Sequence, residues 1–198
     1  MRLFTAVWPG PEAAAALEAA LAVRPPWHPD GGWRPVPPER RHITLAFHGD
    51  DEPGPRARVL DAALAGRPAP RLRLAGVGTF RGVLWAGVET VDGALRDLAV
   101  GAGADPVAFR PHLTLARRSR GDDRRRPALA DDPGPAPGPW WTPAEVLLVR
   151  SDTSRSDTVR GDTSRGDTVR GDTRRDGAGR SGPVYTVVHR VPLARDRT

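Results

Sequence analysis

Two short stretches of this sequence are nearly the same. The stretch "RRHITLAFH" runs from Arg40 to His48, and "RPHLTLARR" runs from Arg110 to Arg118. Each contains His-x-Thr-Leu, beginning at His42 and at His112, and the chain holds only five histidines. One such string is common in proteins, but two identical frames in a chain with so few histidines indicate a repeated unit with a shared function.

The frames read as strands with one polar and one apolar face. Residues i and i+2 of a strand point to the same side of a sheet. His42 therefore projects with Thr44, and His112 projects with Thr114. The opposite side of each strand is apolar and is expected to face a core: Ile43, Leu45, Leu113 and Leu115. If the two strands lie side by side or related by pseudo-symmetry, two imidazoles and two hydroxyls meet in one cleft.

This set of side chains suits the chemistry of phosphate esters. Histidine titrates near neutral pH, so one imidazole can accept a proton from water while a second, protonated one gives a proton to a leaving oxygen. Threonine hydroxyls can donate hydrogen bonds to the non-bridging phosphate oxygens. The reaction needs no metal, and we expect no cofactor.

The other three histidines give weaker signals. His48 shares the parity of His42 if the strand is continuous, but its position at the strand end favours a structural or solvent-facing role. His28 lies in a loop and His189 in the last strand, and neither is expected to act. A metal site built from His42, His48 and His112 remains an alternative, although it lacks a clear carboxylate partner and the usual ligand spacing.

The composition fits one globular domain over residues 1–198. The net charge is +6, but arginine supplies all 30 basic residues, so the charge alone does not identify a partner. There are no cysteines and hence no disulfide framework. No apolar run approaches the roughly 20 residues of a membrane helix, and "MRLFTAVWPG" does not resemble a signal peptide. We expect a cytoplasmic, monomeric protein without a membrane partner.

One segment has a composition unlike the rest of the chain. Five pentads, SDTSR, SDTVR, GDTSR, GDTVR and GDTRR, follow one another from residue 151, and a glycine-rich tail extends to residue 182. A period of five matches neither a helix nor a strand. Seven arginines and six aspartates nearly cancel within 151–182. We predict a disordered, low-complexity insertion in a surface hairpin loop.

Outside that insertion the chain reads as short strands with few helices, which predicts an α+β fold with a mostly antiparallel sheet. Candidate strands are Arg2–Val7, His42–Phe47, Arg71–Val77, Val83–Val88, His112–Ala116, Glu145–Arg150 and Val184–Val191. Candidate helices are Pro11–Val23, Pro55–Ala65 and Gly93–Val100. The strands on either side of the pentads are expected to pair with each other.

Several stretches in this order resemble the two-histidine (2H) phosphoesterase superfamily, most closely its bacterial RNA 2',3'-cyclic phosphodiesterases, also called 2'-5' RNA ligase-like proteins. The similar stretches are "MRLFTAVWPG", "WRPVPPERRHITLAFHGD", "VLWAGVE", "FRPHLTLAR" and the final "EVLLVRS" and "GPVYTVVHRVPL". The resemblance implies two lobes related by a pseudo-twofold axis, with antiparallel sheets lining a central cleft and helices outside.

The resemblance also implies roles. His42 is expected to donate a proton to the leaving ribose oxygen, and His112 to accept one from water. Thr44, Thr114 and Arg117 are expected to bind the phosphate. The implied reaction converts an RNA 2',3'-cyclic phosphate to a 2'-phosphate. Alternatives are other small cyclic phosphates such as ADP-ribose 1'',2''-cyclic phosphate or cyclic nucleotides, 2'-5' RNA ligation, and binding of RNA ends without catalysis.

Three departures from the family pattern carry expectations of their own. His48 stands where an aliphatic residue is usual, which leaves the two frames intact. The segment 90–108 is short, so the second lobe is expected to lack most of its helical cover. The pentads lengthen the last hairpin and are expected to lie at the substrate entrance. Phe47 is expected to pack rather than flank a base.

Overall fold

A computed structural model describes residues 2–23, 25–26, 32–80, 82–118, 136–152 and 183–194. Within these ranges it contains eight strands and three helices, which confirms the α+β class. The strands are β1 Arg2–Val7, β2 Trp33–Pro35, β3 Ile43–Asp50, β4 Leu72–Phe80, β5 Val83–Thr90, β6 His112–Arg118, β7 Glu145–Asp152 and β8 Val184–Pro192. The helices are α1 Pro11–Val23, α2 Pro53–Leu64 and α3 Ala94–Gly101, with a 3-10 turn at Pro38–Arg40.

The strands form one antiparallel sheet whose two halves correspond to the two predicted lobes. The order is β4-β5-β6-β3-β1-β7-β8, and β2 pairs with β6. The halves meet between β6 and β3, where the register contains a single pair, Ile43 with Leu113. These are the middle residues of the two His-x-Thr frames. The order is thus symmetric about the frames, with β5 corresponding to β1 and β4 to β7.

The three helices supply the apolar cover of the sheet. Helix α2 contacts β8 and α3, and α3 also contacts β3. Fully buried leucines mark these contacts: Leu60, Leu64, Leu95 and Leu98. The expectation of little helical cover over 90–108 was wrong, because eight residues of this segment form α3 and place Leu95, Leu98 and Ala99 in the core. A helix this short can cover the sheet because both of its leucines and Ala99 lie on one buried face, while Val100 remains exposed.

The predicted elements lie where the sequence pattern placed them, with small shifts at their ends. Strand β2 was missed because three residues that include a proline give almost no strand signal. The predicted pairing of the last two strands is confirmed from Glu145–Pro192 to Asp152–Val184. The rest of the pentad segment, 153–182, and His28 lie outside the described residues. None of the helices within the described ranges has the length and apolarity that a bilayer crossing demands.

Candidate active site

The two histidine frames lie side by side at the centre of the sheet. Ile43 and Leu113 pair there and are fully buried. His42, Thr44, His112 and Thr114 are partly buried on the opposite side of their strands. Because the strands are antiparallel, the residues on either side of the Ile43–Leu113 pair lie opposite each other: His42 opposite Thr114, and Thr44 opposite His112. Each histidine therefore has the threonine of the other frame as its cross-strand neighbour.

The predicted inward-facing residues are confirmed, and the structure adds a feature that the alternation does not show. Ile43, Leu45, Leu113 and Leu115 are at most 2% exposed. Thr44 is paired with Ala6 of β1 while Ala46 is paired with Thr5, so that Leu45 is an extra residue. In the same way Thr114 pairs with Trp85 and Ala116 with Leu84, which leaves Leu115 extra. Both frames thus carry a β-bulge at the same position.

The bulges change which residues face the cleft. An extra residue breaks the period of two, so the two residues that follow it switch faces. Ala46 and Ala116 are buried, and the residues after them, Phe47 and Arg117, are exposed. The prediction that Phe47 packs was wrong: its side chain is 79% exposed, and its ring centroid lies 6.3 Å from that of Phe4.

Backbone carbonyls fix the orientation of both imidazoles. His42 Nδ1–H donates to the carbonyl of Arg40 at 2.7 Å, and His112 Nδ1–H donates to the carbonyl of Arg110 at 2.8 Å. A carbonyl only accepts, so Nδ1 carries the proton in each neutral ring. Nε2 is then the atom of each ring that gains or loses a proton.

His42 lies in an aromatic environment. Its ring centroid is 4.9 Å from those of Phe4 and Trp8 and 5.3 Å from that of Tyr185. Burial lowers the pKa of His42 to about 4, opposed by the hydrogen bond to the Arg40 carbonyl. The charges of Arg117 and His112 lower this pKa further, so both groups are close enough to act on His42.

His112 has a different surrounding, formed by the β4–β5 hairpin. Its ring meets the ring of Phe80 edge to face at 5.0 Å, and Phe80 packs near Trp85 at 6.0 Å. Gly76 is the extra residue of a bulge in β4 and has a φ of 65°, a conformation that favours glycine. Such a bulge bends a strand, which accounts for the hairpin end at Phe80 reaching over to His112.

Arg117 stands at the edge of the site beside a second arginine. It is exposed, and its cross-strand partners are Val83 on β5 and Arg34 on the missed strand β2. Sequence reasoning found Arg117 through the family resemblance. Arg34 lies beside Arg117 because β2 pairs with β6, and the sequence pattern did not predict β2.

The remaining described histidines have partners away from the frames. His48 Nε2 and Thr5 Oγ1 are hydrogen-bonded at 2.6 Å, which confirms the structural interpretation of His48. His189 Nε2–H donates to Asp61 of α2 at 2.8 Å. Among the residues that the structure describes, no three His, Cys, Asp or Glu side chains come together as metal ligands.

Comparison with known proteins agrees with this geometry. The family model described as the 2'-5' RNA ligase superfamily matches residues 9–155. The "RNA 2',3'-cyclic phosphodiesterase" of Thermus thermophilus is 38% identical over 175 residues, covering 77% of this chain and 82% of that protein. A protein of the same name from Geobacillus stearothermophilus is 34% identical over 134 residues, covering 59% of this chain and 42% of its own length.

Solved structures show the same fold. The crystal structure of TT0787 of Thermus thermophilus superposes with a TM-score of 0.64 at 32% identity, covering 99% of this chain and all (100%) of that one. E. coli LigT complexed with phosphate gives a TM-score of 0.63 at 22% identity over 98% and 97% of the two chains. With the matched family model and the Thermus relative, the paired frames show that this chain belongs to the 2'-5' RNA ligase superfamily.

Proposed function

We propose that this protein is an enzyme that hydrolyses the terminal 2',3'-cyclic phosphate of RNA to a 2'-phosphate without a metal. The observation that carries the proposal is the pair of matched histidines, each held at Nδ1 by a backbone carbonyl. His112 is the first residue of β6, and His42 immediately precedes the adjacent strand β3. Pure binding does not require two proton-transfer groups. The substrate follows from the relatives, two of which are named RNA 2',3'-cyclic phosphodiesterases.

The reaction follows from the positions of the four frame side chains. Nε2 of His112 accepts a proton from water as the water oxygen attacks phosphorus. The bond between phosphorus and the ribose O3' breaks, and Nε2–H of His42 gives its proton to that oxygen. The products are a 2'-phosphate and a free 3'-hydroxyl. Thr44 and Thr114 donate hydrogen bonds to the non-bridging oxygens, where charge builds up in the transition state.

The burial of His42 sets a condition on its role as the acid. With a pKa of about 4, its ring is neutral at pH 7 in the free protein. A bound phosphate places negative charge beside the ring, and a nearby opposite charge favours the protonated form. His42 therefore takes up its proton together with the substrate, while His112 must be neutral to act as the base.

The two residues exposed by the bulges complete the binding site in this proposal. Arg117 is close enough to influence the charge of His42, and a guanidinium matches the geometry of phosphate oxygens. Phe47 occupies the equivalent position in the other half of the sheet and presents an uncovered ring. An exposed aromatic face is suited to stacking with the terminal base. Because both frames come from one chain, we propose that a monomer is active.

Product analysis with variants tests the function. A short RNA ending in a 2',3'-cyclic phosphate is incubated in EDTA with the wild type, His42→Ala, His112→Ala and, as a matched control, His189→Ala. We expect a 2'-phosphate product from the wild type and a loss of roughly 10² to 10⁴ in rate for the two frame variants. His189, bonded to Asp61 away from the frames, should tolerate the change within a few-fold.

Several outcomes would contradict the proposal. Abolition of activity by EDTA would indicate a metal mechanism. Equal losses in all three variants would indicate a folding defect. Turnover of ADP-ribose 1'',2''-cyclic phosphate or of cyclic mononucleotides, with none of the RNA, would assign a small-molecule substrate instead.

A further inference from the structure

The ring of His42 occupies a slot formed by strand β1 and the chain that follows it. Phe4, Ala6 and Trp8 alternate along this stretch, and Ala6 is paired with Thr44. The small side chain of Ala6 leaves space between the two large rings. Phe4 is stacked on the imidazole with an interplanar angle of 25°, and Trp8 is tilted at 32°, each with its centroid 4.9 Å away. Tyr185 of β8 closes a third side edge-on.

The 3-10 turn before β3 connects this slot to the orientation of the imidazole. Trp8 Nε1–H donates to the carbonyl of Glu39 at 3.2 Å, and the next carbonyl, that of Arg40, accepts from His42 Nδ1. Two consecutive carbonyls of one turn thus hold the indole and the imidazole. The placement of the Trp8 ring is therefore coupled to the placement of the reacting histidine.

The slot is not a consequence of the symmetry between the two halves. The positions on β5 that correspond to Ala6 and Phe4 are Trp85 and Val83. His112 meets a single described ring, that of Phe80, and meets it edge to face. The aromatic enclosure therefore belongs to one histidine, the one assigned as the proton donor.

An aromatic slot affects a protonated imidazole in two opposite ways. Exclusion of water disfavours the charge, whereas the negative faces of aromatic rings attract a cation within about 6 Å of the ring centroid. The charged groups that act on His42 are Arg117 and His112, both on β6, and both disfavour a further positive charge. From β1 and β8 the imidazole is faced by Phe4, Trp8 and the phenol of Tyr185.

We propose that Phe4, Trp8 and Tyr185 are positioning residues: they aim the ring of His42 at the leaving oxygen, and once substrate binding has protonated the ring, their faces stabilise the imidazolium and shield it from water until the proton is transferred. The inference rests on the proposed function for its role in the reaction. The ring contacts that it requires are independent of any substrate. Trp8 is the residue to test first. It is half-buried and lies just after β1, so its replacement disturbs the core less than replacement of the buried Phe4.

The first experiment changes the electrostatic potential of the Trp8 ring face while keeping the size of the ring nearly constant. Tryptophans with one to three ring fluorines are introduced at position 8 alone, and the imidazole of His42 is titrated by NMR. Fluorine weakens the negative face of the ring, so we expect the pKa of His42 to fall stepwise, by about 0.5 in total. The resonance of His112 is the internal control and should not follow. An unchanged titration of His42 would overturn the proposal.

The second experiment separates help to the proton donor from help to binding. If sulfur replaces the bridging 3'-oxygen, the leaving thiolate needs no proton. We expect Trp8→Leu to lower kcat about tenfold on the oxygen substrate and to leave the sulfur substrate within twofold. Trp8→Phe keeps an aromatic face but loses the hydrogen bond to Glu39, so it should recover only part of the lost rate on the oxygen substrate. Phe80→Leu, beside His112, should slow both substrates alike.

Equal losses on both substrates for Trp8→Leu, or a change confined to KM, would overturn the proposal by showing that the ring binds substrate or supports the fold. Failure of the wild type on both substrates would instead refute the proposed function. In that case the NMR titration still decides whether the slot favours the imidazolium.

Discussion

At the level of single residues, each of the two frame histidines is held by a backbone hydrogen bond and by a buried neighbouring residue. Each frame histidine is held at Nδ1 by the carbonyl two residues earlier, and the strand residue that follows each histidine, Ile43 or Leu113, is fully buried. The residue types and the shared face were predictable, because strand alternation alone determines them. The aromatic rings around His42 were not predictable, since Phe4, Trp8 and Tyr185 come together only through strand pairing.

The pH dependence of the reaction tests the two protonation states. We expect kcat/KM to be bell-shaped, because His42 must be charged and His112 neutral. The free enzyme should show an ionisation near pH 4 that belongs to His42. In kcat, which reports the enzyme–substrate complex, this ionisation should move to higher pH because the bound phosphate favours the imidazolium. A profile that stays flat from pH 5 to 8 would argue against the pair.

Gly78 allows the Trp85 ring to lie against β4, and this can be tested by a single methyl group. A Cβ at Gly78 would lie 2.3 Å from Trp85 Cζ2, so the indole must move. Overpacking of this kind typically costs about 1–3 kcal/mol. We expect Gly78→Ala to lower the free energy of unfolding by that amount and to reduce activity through Phe80, which touches His112. Gly54→Ala in α2, where a Cβ has room, is the control and should not destabilise.

At the scale of elements, the paired bulges are what the sequence does not reveal. "HITLAF" and "HLTLAR" read as unbroken strands, and nothing in the letters marks Leu45 or Leu115 as extra. A bulge depends on how the neighbouring strand pairs, which is a property of two segments and not of one. The consequence was one wrong side-chain prediction, that of Phe47. The strands and helices themselves were readable because their apolar spacing is regular.

The pentad insertion interrupts a hairpin whose ends are well defined. Strands β7 and β8 remain paired up to Asp152 and Val184. Joining these two residues by a short Asn-Gly turn in place of residues 153–183 should therefore leave the sheet intact. We expect the free energy of unfolding to rise by roughly 2 kcal/mol, because a two-residue turn costs less entropy to close than a connection of 31 residues. We expect kcat/KM on cyclic-phosphate RNA to stay within a few-fold. A large rise in KM without a loss of stability would show that the pentads bind RNA.

At the scale of the whole molecule, the fold follows from the duplication of one frame. Two strands that each bury one face and display a His-Thr pair on the other must meet at their apolar middle residues to bring the polar ones together. The structure does this at Ile43 and Leu113 and arranges further strands outward on both sides. The duplicated motif therefore allowed the symmetric halves to be predicted. The strand order of the continuous sheet could not be predicted in this way, because it depends on contacts between residues that are distant in sequence.

The burial of His42 should make the folded state sensitive to acid. The pKa of His42 is about 4 in the folded protein and is expected to be near 6.5 in the unfolded chain. The unfolded state therefore binds a proton more readily. The stabilisation from this difference is complete above about pH 6.5 and is lost as the pH falls towards 4, at most ~3 kcal/mol in total.

Urea unfolding of the wild type and of His42→Leu at about pH 7 and pH 4.5 isolates this contribution, because the carboxylates titrate in both proteins. We expect the wild type to lose ~2–3 kcal/mol more than the variant between the two conditions. His42→Leu should be at least as stable as the wild type in acid, since an apolar side chain among Phe4, Trp8 and Tyr185 has no charge to bury. Parallel losses in the two proteins would mean that His42 is solvated in the free enzyme and needs no substrate to become the acid.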